Sequence, residues 1–323
     1  MNLNTESKVS SGHLLKRAGL VALIAIIAFL VPIPFHSRLA SRFGDLVHLP
    51  AYVLITYLWI AISDRFVSNK LFTRLLTTLA IVSVSGGIEL LQAKLGRTAS
   101  LHDLITNGSG ATVGLFAHLS AGCESIAKRF IRMAGIVIFL FVASSPLRSM
   151  LDIARMEQFP AELGTFRSST ELERWYISSA TAEVVADNSF GFNGKSGSAV
   201  EVTFHPHEFP AIQLRYLNTD WTGYETLTFD IARSAQDTTE PLLIQLRIRD
   251  RFSRKNPNIG FSERYSLAPG ERKQISIPVA LIASGPDRQV EIDRIRFVEF
   301  MAVELKQAAT IRLANLRLHR KSL

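Results

Sequence analysis

Long apolar stretches fill the first half of the chain, and several of them carry acidic, His or amide side chains near one end. A run of about 20 apolar residues is long enough to cross a bilayer as a helix. Ionisable groups at that depth are costly unless they meet partners, water or a ligand. Three spaced polar sets stand out: Asp45-x-x-His48-x-x-x-Tyr52, Glu89-x-x-Gln92, and Arg97-x-x-Ser100-x-x-Asp103-x-x-x-Asn107. A chain built this way is expected to be a membrane protein with one polar site.

The 323 residues favour two domains. Residues 1–147 are expected to form a transmembrane domain of α-helices, 148–164 a connector with some helical character, and 165–323 a soluble domain. Charge divides with composition. Residues 1–159 hold 15 Lys/Arg against 8 Asp/Glu, while 160–323 hold 21 against 20. The basic excess therefore sits in the apolar half, where membrane topology and lipid headgroups account for it. No basic helix with interleaved aromatics is present, so nucleic acid is not an expected partner. Cys123 is the single cysteine, which excludes an intramolecular disulfide and a Cys-rich zinc site.

Five spans are predicted, at Ala18–Phe35, Leu46–Ser63, Leu75–Ala93, Leu104–Leu119 and Ile131–Leu147. Lys16-Arg17 precede the first, as in a signal peptide. Pro32 and Pro34 then lead into Phe35-His36-Ser37-Arg38 without a small-x-small cleavage pattern, so a retained anchor is expected. Lys8, Lys16 and Arg17, then Arg65, Lys70 and Arg74, then Lys128, Arg129 and Arg132 mark alternate loops. The positive-inside rule puts the N-terminus in the cytoplasm and everything after Leu147 outside an inner (cytoplasmic) membrane.

In that arrangement the polar sets converge on the outer face. Asp45/His48 and Glu89/Gln92 are i,i+3 pairs, and His48/Tyr52 and Asp103/Asn107 are i,i+4 pairs, so each shares one helix side. Asn107, Gly110 and Gly114 continue a stripe whose glycines permit close helix packing. Jointly these residues resemble the VanZ-like membrane family over about residues 17–147. Pro50, where that family commonly has a small or apolar residue, is expected in the first turn of its helix, where proline is tolerated. The family is linked to glycopeptide resistance through its named member, which implies a cell-envelope setting and no particular reaction.

Two roles for the cluster stay open. His48, Glu89 and Asp103 are acid/base candidates, with Arg97 able to hold a phosphate or carboxylate of a lipid-linked envelope precursor. Alternatively the same groups pair with one another and fix the helices. A structural or binding role is favoured over catalysis. With one His in the cluster, no metal site is expected.

After the connector the pattern changes to short, β-like runs. Strands are predicted at Ala199–Phe204, Ile212–Tyr216, Thr226–Ile231, Leu242–Arg249, Gln274–Ile277, Ile292–Phe300 and Thr310–Leu318, with a bulge at Ala314-Asn315. Turn signals at Asn193-Gly194, Pro269-Gly270 and Gly285-Pro286 separate them, and the set argues for an all-β jelly roll or sandwich. Asp220-Trp221-x-Gly223-Tyr224, Leu246-Arg247-Ile248-Arg249-Asp250 and Leu267-x-Pro269-Gly270 resemble galactose-binding-like domains, including carbohydrate-binding modules of the family-11 type. That resemblance covers about 165–320 and implies a glycan partner. Trp221 is a candidate for stacking on a sugar, although a core tryptophan at a strand entrance is the favoured reading. Asp250, Arg254 and Asn256 offer polar contacts in the following loop. His205-Pro206-His207 is read as solvent-facing. No Ser/His/Asp framework or Gly-rich phosphate loop is recognisable, and no cofactor is expected.

The expected protein is therefore a VanZ-like helical bundle with an extracytoplasmic sandwich. It binds an envelope glycan or lipid-linked ligand in a bilayer setting. The alternatives are a membrane enzyme using Glu89, His48 or Asp103, or a bare helical anchor for a binding sandwich.

Overall fold

The computed structural model describes residues 38–94, 101–121, 125–187, 197–207, 209–235, 240–254, 260–285 and 289–320. The predicted first span, together with Arg97, Ser100, Cys123 and Asn256, lies outside these residues. The chain divides into two compact units, Met1–Met150 and Leu151–Leu323.

The first unit contains helices α1 (Arg38–Ser63), α2 (Lys70–Lys94), α3 (Leu101–Leu119) and most of α4 (Ile126–Gln158). Among the described residues three helices are long and apolar enough to cross a membrane: Arg42–Ser63, Lys70–Leu91 and Ile126–Gln158. They overlap the second, third and fifth of the predicted spans. The 19-residue α3 is not among the three, and it carries Asp103, Thr106, Asn107, Ser109 and His118.

Pro50 stands inside α1 and not in its first turn, because the helix begins at Arg38, well before the predicted Leu46. A proline there removes one i→i−4 hydrogen bond and crowds the carbonyl one turn back. The neighbouring backbone is where α3 comes closest. A Cβ added at Gly110 would lie 2.7 Å from the Leu49 carbonyl oxygen, and one at Gly114 would lie 2.6 Å from that of Val53. Two glycines one turn apart thus let α3 rest directly on the α1 backbone.

The second unit is a β-sandwich. The stretch read as a connector is ordered: α4 runs on to Gln158, and Glu162–Gly164 forms β1. The remaining strands are β2 (Trp175–Ser178), β3 (Ala180–Ala186), β4 (Ser198–Phe204), β5 (Ala211–Leu214), β6 (Tyr224–Arg233), β7 (Leu242–Asp250), β8 (Phe261–Leu267), β9 (Arg272–Pro278), β10 (Ile295–Val303) and β11 (Ala309–Arg320). One sheet runs β3-β4-β11-β6-β9, with β1 added to β11; the other runs β2-β5-β10-β7-β8. Each ladder is antiparallel. Alternation drives this arrangement: Ile244, Leu246 and Ile248 of β7 and Val298 and Phe300 of β10 turn inward to meet Phe229, Ile231, Leu313 and Ile311 of the other sheet. Phe229 and Phe300 touch edge-to-face across the core, with centroids 5.2 Å apart. The predicted bulge is present: the β11–β6 register shifts between Ala314 and Arg317, and Asn315 has φ +54°.

Candidate functional site

The polar residues of the helical unit meet across three helices. His48 of α1 lies with Nδ1 3.1 Å from the Asn107 Oδ1 of α3. Asn107 Nδ2 in turn donates to Ser85 Oγ of α2 at 2.8 Å. Because the amide nitrogen is spent on Ser85, its oxygen accepts, and His48 Nδ1 is the donor. Tyr52, one turn beyond His48, is directed at the same Ser85 and lies near Glu89. Ser85, Asn107 and Glu89 are buried. Ser85 was not singled out in the sequence, although its i,i+4 spacing from Glu89 on α2 is a legible signal.

Asp45 pairs with Arg42 on its own helix at 3.1 Å. Asp103 stands half-buried one turn before Asn107, and Gln92 lies in the last turn of α2. Chemically, amide and hydroxyl links tie a donor-oriented imidazole across the three helices, and the buried carboxylic side chain of Glu89 lies near Tyr52.

A second polar knot closes the opposite end of the same helices. Arg74 grips Asp64 through Nε at 2.9 Å and Nη2 at 2.6 Å, and His118 Nε2 lies 3.1 Å from Asp64 Oδ2. Tyr57 packs edge-on against the His118 ring, centroids 5.3 Å apart. The Arg74 hydrogen bond, followed by that of His118, holds the Asp64 carboxyl below its ordinary value. In the sequence Arg74 registers only as a loop charge, so this knot is not legible there.

In the sandwich, Trp221 does not face solvent. It is fully buried in the core with Nε1 donating to the Asn218 carbonyl at 2.9 Å, which removes it as a sugar platform. Asp250 is also fully buried. It accepts from the Phe252 and Glu291 amides, each at 3.0 Å, and staples two loops together. Arg254 ends the 3-10 turn Arg251–Arg254. His205 and His207 are exposed, and among the described residues no group of three His, Cys, Asp or Glu could hold a metal ion.

What the sandwich offers instead is the outward face of the five-stranded sheet. Pairing registers align Tyr176, Gln213, Glu299, Arg247 and Ser262 in one row across β2, β5, β10, β7 and β8. Their side chains are linked. Gln213 Nε2 donates to Glu299 Oε1 at 3.3 Å, and Arg247 Nη1 to Glu299 Oε2 at 3.3 Å. Arg215 donates to Gln213 Oε1 at 2.6 Å and lies 3.7 Å over the Tyr176 ring. One step along the strands, Arg249 lies over Phe297 at 5.6 Å. One step the other way, Gln245 donates to Ser262 at 2.6 Å and sits opposite Arg264. Burial first, then the neighbouring Arg247 charge, lowers the Arg249 pKa. The sequence shows these residues as the polar half of an alternating strand; only strand order shows that they share one surface.

No family model matches the chain, and no curated protein matches it. Among solved structures it is similar to an exo-beta-agarase, at 12% identity and TM-score 0.39, covering 50% of this chain and 26% of that one. It is also similar to a family 11 carbohydrate-binding module from Clostridium thermocellum in complex with a beta-1,3-1,4-mixed-linked tetrasaccharide. There the identity is 16% and the TM-score 0.35, covering 50% of this chain and 95% of the module. A carbohydrate-binding module specific for non-crystalline cellulose is similar at 16% identity and TM-score 0.33, covering 49% and 94%. The chain thus spans about a quarter of the agarase's length.

Proposed function

We propose that this chain is an integral membrane protein of VanZ-like type that presents a glycan-binding sandwich outside the cytoplasmic membrane. The observation that carries the binding reading is the outward face of the five-stranded sheet. It spans five strands, and its hydroxyl-matching donors and acceptors are already held in place by one another. Tyr176, 49% exposed and backed by Arg215, provides an aromatic surface beside Gln213 and Glu299. Fixing these groups before a ligand arrives lowers the ordering cost of binding.

Membrane embedding draws its support from the helices. Leu71, Phe72, Leu75, Leu76 and Leu79 are all exposed on α2, and Phe130, Leu140 and Phe141 on α4. A contiguous apolar surface of this kind suits lipid and not water. The linked His48, Asn107 and Ser85, with Glu89 buried near Tyr52, support a role in fixing the helices or holding a lipid-linked ligand.

The test is binding of the full chain, in detergent micelles, to a panel of envelope and plant-type oligosaccharides by titration calorimetry. Binding is expected for at least one member, and Gln213→Ala should weaken it by about threefold to tenfold, the worth of one hydrogen bond. A Tyr176→Ala variant that binds as the parent does, or a panel without a single ligand, overturns the reading.

A further inference from the structure

Charge on the sandwich is segregated by face. Residues 160–323 are almost balanced, with 21 Lys/Arg against 20 Asp/Glu. On the six-stranded sheet two arginines meet carboxylates. Arg312 reaches both Glu201 and Asp187, and Arg272 lies 3.9 Å from Asp230. The outward face of the five-stranded sheet carries Arg215, Arg247, Arg249 and Arg264, and among its described strand residues Glu299 is the one carboxylate. Glu299 is taken by Arg247 and Gln213.

Arg249 is the telling member. It is 9% exposed, it lies over Phe297, and among the described residues no carboxylate pairs with it. Its sequence neighbour on the same face is the like-charged Arg247. Glu299 acts on Arg249 only at a distance, since its oxygens are bonded to Arg247 and Gln213; an incoming anion would add the short, charge-assisted hydrogen bonds that Glu299 does not supply. Charges perturbed by burial and a like-charged neighbour cluster at binding sites.

We propose that the glycan taken by this face is anionic, with a carboxylate or phosphate group docking on Arg249 while its uncharged sugars extend toward Tyr176. The inference rests on the glycan-binding reading above. Tyr176 and Arg249 stand on strands three ladders apart. Strand spacing makes that about 14 Å, a span for an oligosaccharide and not a monosaccharide.

The experiment compares charged and neutral versions of the same ligands on the full chain in micelles. One arm uses a uronate oligosaccharide against its carboxyl-reduced form. A second uses a phosphate-bearing polyol polymer against its dephosphorylated form, and a third uses inorganic phosphate alone. At least one charged glycan should bind about tenfold or more tightly than its neutral counterpart, with the advantage shrinking as salt is raised. Whichever arm shows it names the source of the anion. Arg249→Gln should remove the advantage, and Arg249→Lys, which keeps charge without the fork, should retain part of it.

Equal binding of charged and neutral forms overturns the anionic assignment and leaves glycan binding intact. Equal binding of inorganic phosphate and the charged glycans overturns it in favour of a bare anion site. Failure of every glycan sinks both readings. If Arg249→Gln does not fold, Arg249→Lys gives the same comparison, and an undiminished charge preference in it overturns the proposal.

Discussion

Arg174 holds Asp152 in a two-point grip, with Nε donating to Oδ2 at 2.9 Å and Nη2 to Oδ1 at 2.5 Å, both side chains about 5% exposed at most. The pair fastens the last turns of α4 to the 3-10 segment Ser169–Arg174, just ahead of β2. Removing one partner strands the other charge out of water. Arg174→Leu is therefore expected to destabilise the sandwich by about 3–5 kcal/mol, while replacing both residues with apolar ones recovers most of it. Denaturant unfolding of the full chain, followed by tryptophan fluorescence, measures both. Equal losses in the single and double variants would contradict the argument.

Gly110 and Gly114 predict an inversion of helix propensity. Glycine to alanine in a helix usually gains about 1 kcal/mol. At these two positions a methyl would meet backbone oxygen at 2.7 and 2.6 Å, and overpacking of this kind costs about 1–3 kcal/mol. Gly87 has nothing within 4 Å of its added Cβ, so Gly87→Ala should be neutral or stabilising. Thermal aggregation in micelles ranks the three variants, and the same ranking for Gly87 and Gly110 would refute the close contact.

Asp64 predicts a pH dependence. Its carboxyl is held below its ordinary 3.8, first by the Arg74 hydrogen bond, so the charged form is favoured in the fold. That stabilisation is fully present above the unfolded value of about 3.9 and is lost as pH falls through the lower folded value. Asp64→Asn should be less stable than the parent at pH 6, with the gap closing below about pH 4. A gap that stays constant across this range would assign the difference to something other than the Asp64 charge.

Topology has a built-in reporter, because Cys123 is the single cysteine of the chain. An impermeant thiol reagent should leave it unlabelled on intact cells and label it once the membrane is opened. A Ser266→Cys reporter in a Cys123→Ser background, exposed on β8, should label from outside. The reverse pattern would place the sandwich in the cytoplasm and remove the envelope ligand.

The strands missing from the sequence expectations lie at sheet edges or are very short. β2, β3 and β8 are edge strands, and β1 has three residues. Edge strands are half in water and carry polar residues on the inward parity as well, as with Glu263 between Phe261 and Tyr265. Burial and the Glu263 hydrogen bond push the Tyr265 phenol up, a sign of how far into the sandwich that parity reaches. Central strands such as β7 alternate cleanly because both their neighbours and the core enforce it.

By itself the sequence determined where apolar runs lie, that the second half alternates as β-strands, and that Asp45, His48, Glu89, Asp103 and Asn107 recur at helical spacing. Those are properties of periodicity, which a chain carries locally. Only the tertiary structure decided which of these residues touch. It joined His48 to Asn107 and Ser85, tied Asp64 to Arg74 and His118 at the far end, and drew Trp221 into the core. It also gathered Tyr176, Gln213, Glu299, Arg247 and Arg249 from four strands onto one face. Partners as much as 86 residues apart are chosen by strand order and helix packing, which depend on the whole core closing at once and leave no mark on any short window of sequence.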